Sequence, residues 1–453
     1  MLHDSVYYSA SYSVKKKEKK VLFIFPELPC WIIGTSSLQG FLDHFKEGST
    51  LSAFYIRNHI TDEGEKAVYE RLLNSLISKK ILCAERYYTN ECVQNYQNRI
   101  NSFIFGITNR CNLRCSSCYN SYQWELDNEL SIEEMKRMVD EVIPFLSYGF
   151  SISGGEPLLS FELIKKIVKY MENTADDLLC QYMITTNGTL ITEDDVKRLA
   201  EVKNLTVQVS LDGITKEAHE FNRGKNTFEK VITSLKELRR YDVNVLLGVL
   251  LTEKSIKEVK DVLDFAIELG ISNVRFIEMF WQGLSRSKAM KRPLSYELFP
   301  ILRSLLKNDE KYKTVLQQDT TKIIFDSLIN PVKRKCCGID NRTVYIDSDG
   351  SVYPCNLLLD KKYLLGNIRE RKFSAIWLHA QIKEELCELS VDQFPKCKEC
   401  EIRYLCGGGC RGTAFNANKD ILSPPPNCYE KKETIYSYLW EFAEQDSIYS
   451  LLK

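Results

Sequence analysis

Nine of the sixteen cysteines in this 453-residue chain fall between positions 336 and 428, while residues 119–335 hold only Cys180. This distribution constrains the fold more than any other feature. Residues 331–453 read as loop-rich, with short apolar runs and much Cys, Gly and Pro. Such a segment buries too little apolar surface to fold unless something staples it. Disulfide scaffolds are usually small and secreted. This chain is long, and its start carries no signal-peptide pattern: residues 1–14 are polar and aromatic, and 15–20 is a charged run. No apolar stretch approaches the roughly 18 residues of a membrane helix. The expected setting is therefore the cytoplasm, where clustered cysteines point to metal rather than disulfides.

Lys+Arg and Asp+Glu both total 61, so the overall charge favours no polyanionic partner. After a tail over 1–18, residues 19–97 predict strands at 20–25 and 31–34 with a turn between them. Apolar positions at helical spacing follow at Leu38, Phe41, Leu42 and Phe45, and later at Val68, Leu72, Leu73, Leu76 and Ile77. Two strands and three helices make a small winged-helix-like unit. Residues 18–97 hold nine Lys/Arg against ten Asp/Glu, which lacks the basic footprint that DNA requires. A peptide- or protein-binding module is the better reading.

Residues 98–310 alternate strand and helix. Strands are predicted at 103–108, 150–153, 181–186, 206–211, 244–251 and 273–278. Amphipathic stretches lie between them at 131–146, 160–172, 192–201, 226–240 and 253–269. Six β-α units imply a parallel sheet in a partial (β/α)6 barrel, with its site at the carboxyl ends of the strands. A further helix over 293–306 leads out of this domain, with Pro300 kinking or delaying it. The fold class is thus α/β: a small N-terminal unit, a TIM-like partial barrel, and a Cys-rich domain over 311–453.

Directly after the first barrel strand stands Cys111-Asn-Leu-Arg-Cys115-Ser-Ser-Cys118. Three thiolates on one short loop can hold three irons of a [4Fe–4S] cube and leave the fourth iron open to a chelating cofactor. A zinc site completed by a distant His is the alternative. The second strand ends in Gly154-Gly155-Glu156-Pro157, where backbone can approach a ligand and a carboxylate sits beside it. The third ends in Thr186-Asn187-Gly188, and the fourth in Ser210-Leu211-Asp212-Gly213, followed by Arg223. Each places short polar groups where a ribose or a carboxylate could be held. Glu278 and Trp281, at the end of the sixth strand, are pocket candidates that core packing explains equally well.

Together these motifs resemble the radical S-adenosylmethionine (SAM) superfamily over roughly residues 100–280. The resemblance implies that Cys111, Cys115 and Cys118 ligate the cluster that cleaves SAM to a 5′-deoxyadenosyl radical. Gly154, Gly155 and Glu156 would bind the methionyl amine, and Asn187, Ser210, Asp212 and Arg223 would contact the rest of the cofactor. One departure is Ser117, at a position that is usually aromatic.

The tail carries Cys337, then Gly350 five positions before Cys355, then Cys397-X2-Cys400-X5-Cys406-X3-Cys410, and finally Cys428. This resembles the SPASM extension, which holds two auxiliary [4Fe–4S] clusters; a pair of zinc ribbons is the alternative. The resemblance implies that Cys397, Cys400, Cys406 and Cys428 enclose one cluster, and Cys337, Cys355 and Cys410 hold the other. The fourth ligand there is either Cys336 or an open iron, and the open iron is the expectation. Cys30, Cys83, Cys92, Cys180 and Cys387 fit no motif and read as small buried apolar residues.

The N-terminal unit resembles the PqqD-like element that binds a leader peptide as an added strand. Recognition element, barrel and SPASM extension in this order resemble the thioether-forming maturases of ribosomal peptides (sactipeptides and ranthipeptides). The implied enzyme is a peptide-modifying oxidoreductase using SAM and three [4Fe–4S] clusters. It would take a ribosomally made precursor peptide and a flavodoxin- or ferredoxin-type electron donor, with no nucleic acid or membrane partner. The alternatives are oxidation of a protein in the manner of anaerobic sulfatase maturases, and C–C crosslinking or decarboxylation of a peptide. A non-catalytic Fe–S electron carrier is the alternative from another class, and the cofactor-pocket motifs speak against it. Sulfatase maturases carry an Asp directly after the cysteine of the Gly-X4-Cys segment; here that residue is Asn356.

Overall fold

The computed structural model describes residues 3–85, 99–120, 128–174, 180–286, 292–329, 331–339, 343–444, 448 and 450. The N-terminal unit is an antiparallel sheet of β1 (Ser13–Lys17), β2 (Lys20–Phe25) and β3 (Cys30–Gly34), followed by α1 (Ser36–His44), α2 (Leu51–Arg57) and α3 (Glu63–Ser78). Part of the segment assigned to a tail is therefore a strand, with Val14 opposite Phe23. Residues on β2 alternate between two cores, as period-2 side chains must. Val21, Phe23 and Phe25 join Phe41, Leu42 and Phe45 in a local core. Leu22 and Ile24 face the other way, into the main core, with Trp31 and Ile33 beside them. The Trp31 Nε1–H donates to Leu328 O at 2.9 Å, and its ring lies 4.9 Å from that of Phe442.

The barrel runs β4 (Ile100–Gly106), α4 (Ile132–Val142), β5 (Leu146–Ser153), α5 (Phe161–Thr174), β6 (Gln181–Thr186), α6 (Glu193–Ala200), β7 (Leu205–Ser210), α7 (Lys216–Arg223), α8 (Phe228–Arg240), β8 (Asn244–Leu250), α9 (Val259–Glu268) and β9 (Asn273–Ile277). The strands are parallel and pair in chain order, as right-handed β-α-β crossovers produce. β8 is a continuous buried run, the mark of a strand covered on both faces. Local chemistry sets the helix starts: Ser131 with Glu134 and Thr192 with Asp195 form capping boxes. Pro300 lies in the first turn of α10 (Phe299–Asn308), where its missing N–H costs nothing.

Besides β1, further elements were not expected. α7 is a separate helix, capped by Thr215. β10 (Thr343–Ile346), from the Cys-rich segment, pairs parallel with β4 and extends the sheet to a seventh parallel strand. β11 (Ser351–Tyr353) and β12 (Gly366–Asn367) then close the sheet edge antiparallel. Beyond them a small core of Leu358, Tyr363, Val391, Phe394 and Phe415 packs around Cys336, Cys337 and Cys355. Of the cysteines outside the motifs, Cys180 is buried, Cys30 and Cys83 are half-buried, and Cys387 is exposed, contrary to the expectation of burial. Cys92 and the boundary near residue 97 lie outside the described residues. Among the described residues no helix is long and apolar enough to cross a membrane.

Candidate active site and iron–sulfur centres

β4 delivers the chain to a loop carrying Cys111, Cys115 and Cys118, all half-buried. Backbone ties fix that loop from both sides: Ile107 N–H donates to Ser153 O at 3.0 Å, and Leu284 N–H donates to Cys118 O at 2.9 Å. The segment after β5 runs along it, with Gly155 N–H donating to Thr108 O at 2.7 Å and Glu156 N–H to Arg110 O at 2.8 Å. A Cβ on Gly154 would stand 2.2 Å from Thr108 O, and one on Gly155 2.1 Å from Arg110 O. The paired glycines are what this approach requires.

Glu156 is 1% exposed. Its Oε1 accepts from Thr186 Oγ1 at 2.6 Å and Leu158 N–H at 3.1 Å, and its Oε2 from Asn187 N–H at 2.8 Å. Burial pushes this carboxyl above its ordinary range. The side chain thus straps the ends of β5 and β6 together, and three donors occupy its oxygens. Asn187 reaches the cysteine loop, its Nδ2 donating to Asn112 Oδ1 at 2.9 Å.

Asp212, just past β7, is 0% exposed. Its Oδ2 accepts from Arg223 Nε and Asn222 Nδ2, both at 2.7 Å, and its Oδ1 from Arg223 Nη2 at 3.1 Å and Leu250 N–H at 3.0 Å. Burial would raise this carboxyl, but the Arg223 guanidinium together with the hydrogen bonds from Asn222 and Leu250 outweighs it and holds the group below the usual range. Arg223 also lies within hydrogen-bonding reach of the Cys115 sulfur. Ser210 sits nearly buried at the end of β7. Cysteine loop, Gly154-Gly155, Asn187, Ser210 and the Asp212–Arg223 pair therefore share one face, the carboxyl ends of the strands.

Asn222 was not anticipated. Its Oδ1 accepts from Ser116 Oγ at 3.1 Å, Ser117 N–H at 3.1 Å and Ser117 Oγ at 2.7 Å. Ser117, where an aromatic residue is usual, thus spends its hydroxyl holding the loop to α7. Thr215 as a cap, with Ala218, His219 and Asn222 at helical spacing, is the signal that would have found this helix. Tyr119 was also missed: its hydroxyl hydrogen-bonds with Asn356 and Ser153, and it feels the thiols of both Cys118 and Cys355. Glu278 accepts from Ser295 N–H at 2.7 Å, and Trp281 stacks on the Arg292 guanidinium at 3.6 Å.

In the tail, Cys397, Cys400, Cys406 and Cys428 line one cavity of about 180 Å³. Cys355 lies within electrostatic reach of Cys337 and Cys410, and Cys336 Sγ stands 4.0 Å from Cys337 Sγ. Among the described residues no three Cys, His, Asp or Glu converge as ligands of one metal ion. Each ligand of a cube binds a different iron, a wider arrangement.

Residues 105–266 match the family model of the Radical SAM superfamily, and residues 336–401 match that of the iron-sulfur cluster-binding SPASM domain. The chain thus carries a radical SAM domain and a SPASM domain. An AdoMet-dependent heme synthase of Methanosarcina barkeri is 27% identical over 340 residues, 71% of this chain and 94% of that protein. A cysteine-type anaerobic sulfatase-maturating enzyme of Clostridium perfringens is 28% identical over 348 residues, 71% of this chain and 92% of that one. Streptococcus suis SuiB, solved with bound S-adenosylmethionine, shares the fold with a TM-score of 0.60 at 16% identity, over 93% of this chain and 99% of its own.

A radical SAM domain joined to a SPASM domain implies S-adenosylmethionine and [4Fe–4S] clusters. The residues present fit both. The SPASM cavity is walled by four thiols, and the radical SAM loop presents three with a polar cradle beside them. Burial pushes the thiols of Cys111 and Cys397 up to about 11 and that of Cys355 up to about 12. Such thiols stay protonated until metal displaces the proton, so loading is favoured at higher pH.

Proposed function

We propose that this radical SAM enzyme acts on a ribosomally made precursor peptide and installs thioether bridges from cysteine sulfur to carbon. When bound, the cluster and SAM supply a 5′-deoxyadenosyl radical that abstracts hydrogen from unactivated carbon. In this reading Cys111, Cys115 and Cys118 ligate that cluster. Arg223, held rigid by Asp212, offers its remaining donors to the cofactor, and Ser210 and Asn187 line the ribose side. The Gly154-Gly155-Glu156 segment holds the methionyl amine, and Glu156 Oε2, which accepts from Asn187 N–H, keeps acceptor capacity for it. Cys397, Cys400, Cys406 and Cys428 form one auxiliary site, and Cys337, Cys355 and Cys410 the other. Limits of 98–310 and 311–453 for the barrel and the Cys-rich domain suit this division, with the N-terminal unit beginning at or before β1 (Ser13–Lys17) rather than at 19 and an electron arriving from a flavodoxin- or ferredoxin-type protein.

The observation that carries the thioether reading is Asn356. It directly follows Cys355, where sulfatase maturases place an Asp as base, and an amide cannot accept that proton. Asn356 also hydrogen-bonds with Tyr119, the residue that follows Cys118. The N-terminal unit adds support. SuiB, solved with precursor peptide SuiA, is similar in fold over 93% of this chain, and a three-stranded sheet in which β1 is an edge strand among the described residues suits an added strand.

The test is anaerobic reaction with the precursor peptide. Mass spectrometry should find the loss of two hydrogens per bridge, with the bridged cysteines protected from alkylation. A modified peptide with an unchanged free-thiol count would reject the thioether product in favour of C–C crosslinking or decarboxylation.

A further inference from the structure

Arg411 directly follows Cys410, and its guanidinium is 0% exposed. Its Nη1 donates to Ile421 O at 2.8 Å and Ser423 O at 2.9 Å, its Nη2 donates to Gly408 O, and the group lies 4.4 Å from the centroid of the Phe394 ring. The Nε has no partner among the described residues. The other enclosed arginines have carboxylates: Arg223 pairs with Asp212, and Arg403 with Glu27 at 2.5 Å. Arg411 has none among the described residues. Carbonyl oxygens satisfy its donors but do not neutralise its charge, and a buried charge without an opposite one nearby is strongly unfavourable.

The groups that sense this charge are thiols. The Arg411 backbone N–H faces the Cys337 sulfur, and the guanidinium acts on Cys336, Cys337 and Cys397. Cys337 belongs to one auxiliary set and Cys397 to the other. Gly408, which accepts from Arg411, forms part of the wall of the Cys397 cavity. An arginine side chain brings a positive charge to this interior. A cube ligated by thiolates is anionic, and more so when reduced. A fixed cation in this interior therefore stabilises the reduced form more than the oxidised one.

We propose that Arg411 is a positioning residue, a permanent counter-charge shared by the two auxiliary sites that biases both toward accepting an electron. This inference rests on the assignment of these cysteines to iron–sulfur clusters. The experiment uses the full chain, reconstituted anaerobically, as wild type, Arg411→Lys and Arg411→Gln. Iron content and EPR-monitored redox titration are the readouts. Arg411→Lys keeps the charge and should keep the wild-type iron content and auxiliary midpoints. Arg411→Gln keeps an amide donor but loses the charge. It should shift the auxiliary midpoints to more negative potential, or lose auxiliary iron that the Lys variant retains. Equal midpoints and iron content in the two variants would overturn the proposal, whether both match wild type or both lose iron, since shape rather than charge would then be at work. A wild-type protein holding one cube's worth of iron would instead remove the cluster assignment beneath it.

Discussion

Asn222 accepts from Ser116 and Ser117 with one end of its amide and donates to Asp212 with the other. Replacing it by Ala leaves the Asp212 carboxylate and the loop hydroxyls short of partners in a buried setting. Asn222→Ala should therefore lower stability by about 1–3 kcal/mol, read by denaturant unfolding of the metal-free protein. Its neighbour His219 is fully buried, with Nδ1 accepting from Asp212 N–H at 3.2 Å and Nε2 without a partner among the described residues. Burial, only partly opposed by Asp212, pushes its imidazole down to about 4 from 6.5. As pH falls from 6.5 towards 4 the unfolded chain gains a proton that the folded chain refuses, so stability falls across that window. The loss should reach about 3 kcal/mol, and His219→Gln should flatten that part of the pH–stability curve. A slope unchanged in the variant would contradict this. Spacing singled out the cysteines and the glycine pair, while Arg223 was singled out through the family resemblance. Asn222 was hidden because it acts through the loop it holds, and the strapping role of Glu156 depends on where β6 ends, which no local motif encodes.

Among the elements, the N-terminal sheet has the widest consequences. One face of β2 fills its own core and the other, with Trp31, fills that of the barrel. Lys17 and Lys20 reach Glu444 and Ala443 O, and Glu27 meets Arg403 between Cys400 and Cys406. The unit is a wall common to two cores. Trp31→Ala should destabilise the whole chain by about 2–4 kcal/mol in one cooperative transition, followed by near-UV circular dichroism against denaturant. An early separate transition of the N-terminal unit would contradict it. β2 and β3 were legible as apolar runs. β1 was not, because Lys15, Lys16 and Lys17 read as a solvated charge run, the usual dress of an edge strand. α7 escaped because only a narrow stripe of an otherwise polar helix is buried. β10 is four residues long and owes its place to pairing with β4.

At the scale of the whole molecule, the SPASM segment is joined to the barrel by more than the chain. β10 extends the sheet, Asn109 Nδ2 donates to Asp347 Oδ1 and Ser348 Oγ, both at 3.0 Å, and Arg369 pairs with Glu134 at 2.6 Å. Tyr119 then touches the neighbourhoods of Cys118 and Cys355 together. The parallel α/β plan and the metal-stapled tail were legible because periodicity and cysteine spacing survive without tertiary knowledge; the joints between them were not, since they unite residues more than 200 positions apart. Three cubes predict about twelve irons per chain. The most direct measurement is 5′-deoxyadenosine formed from S-adenosylmethionine under reducing, anaerobic conditions, comparing wild type with a variant carrying Ala at Cys111, Cys115 and Cys118. The wild type should produce it, while the variant should produce none and hold about four fewer irons. Continued formation in the variant, or zinc in place of iron in the wild type, would contradict a cleaving cluster on the loop after β4.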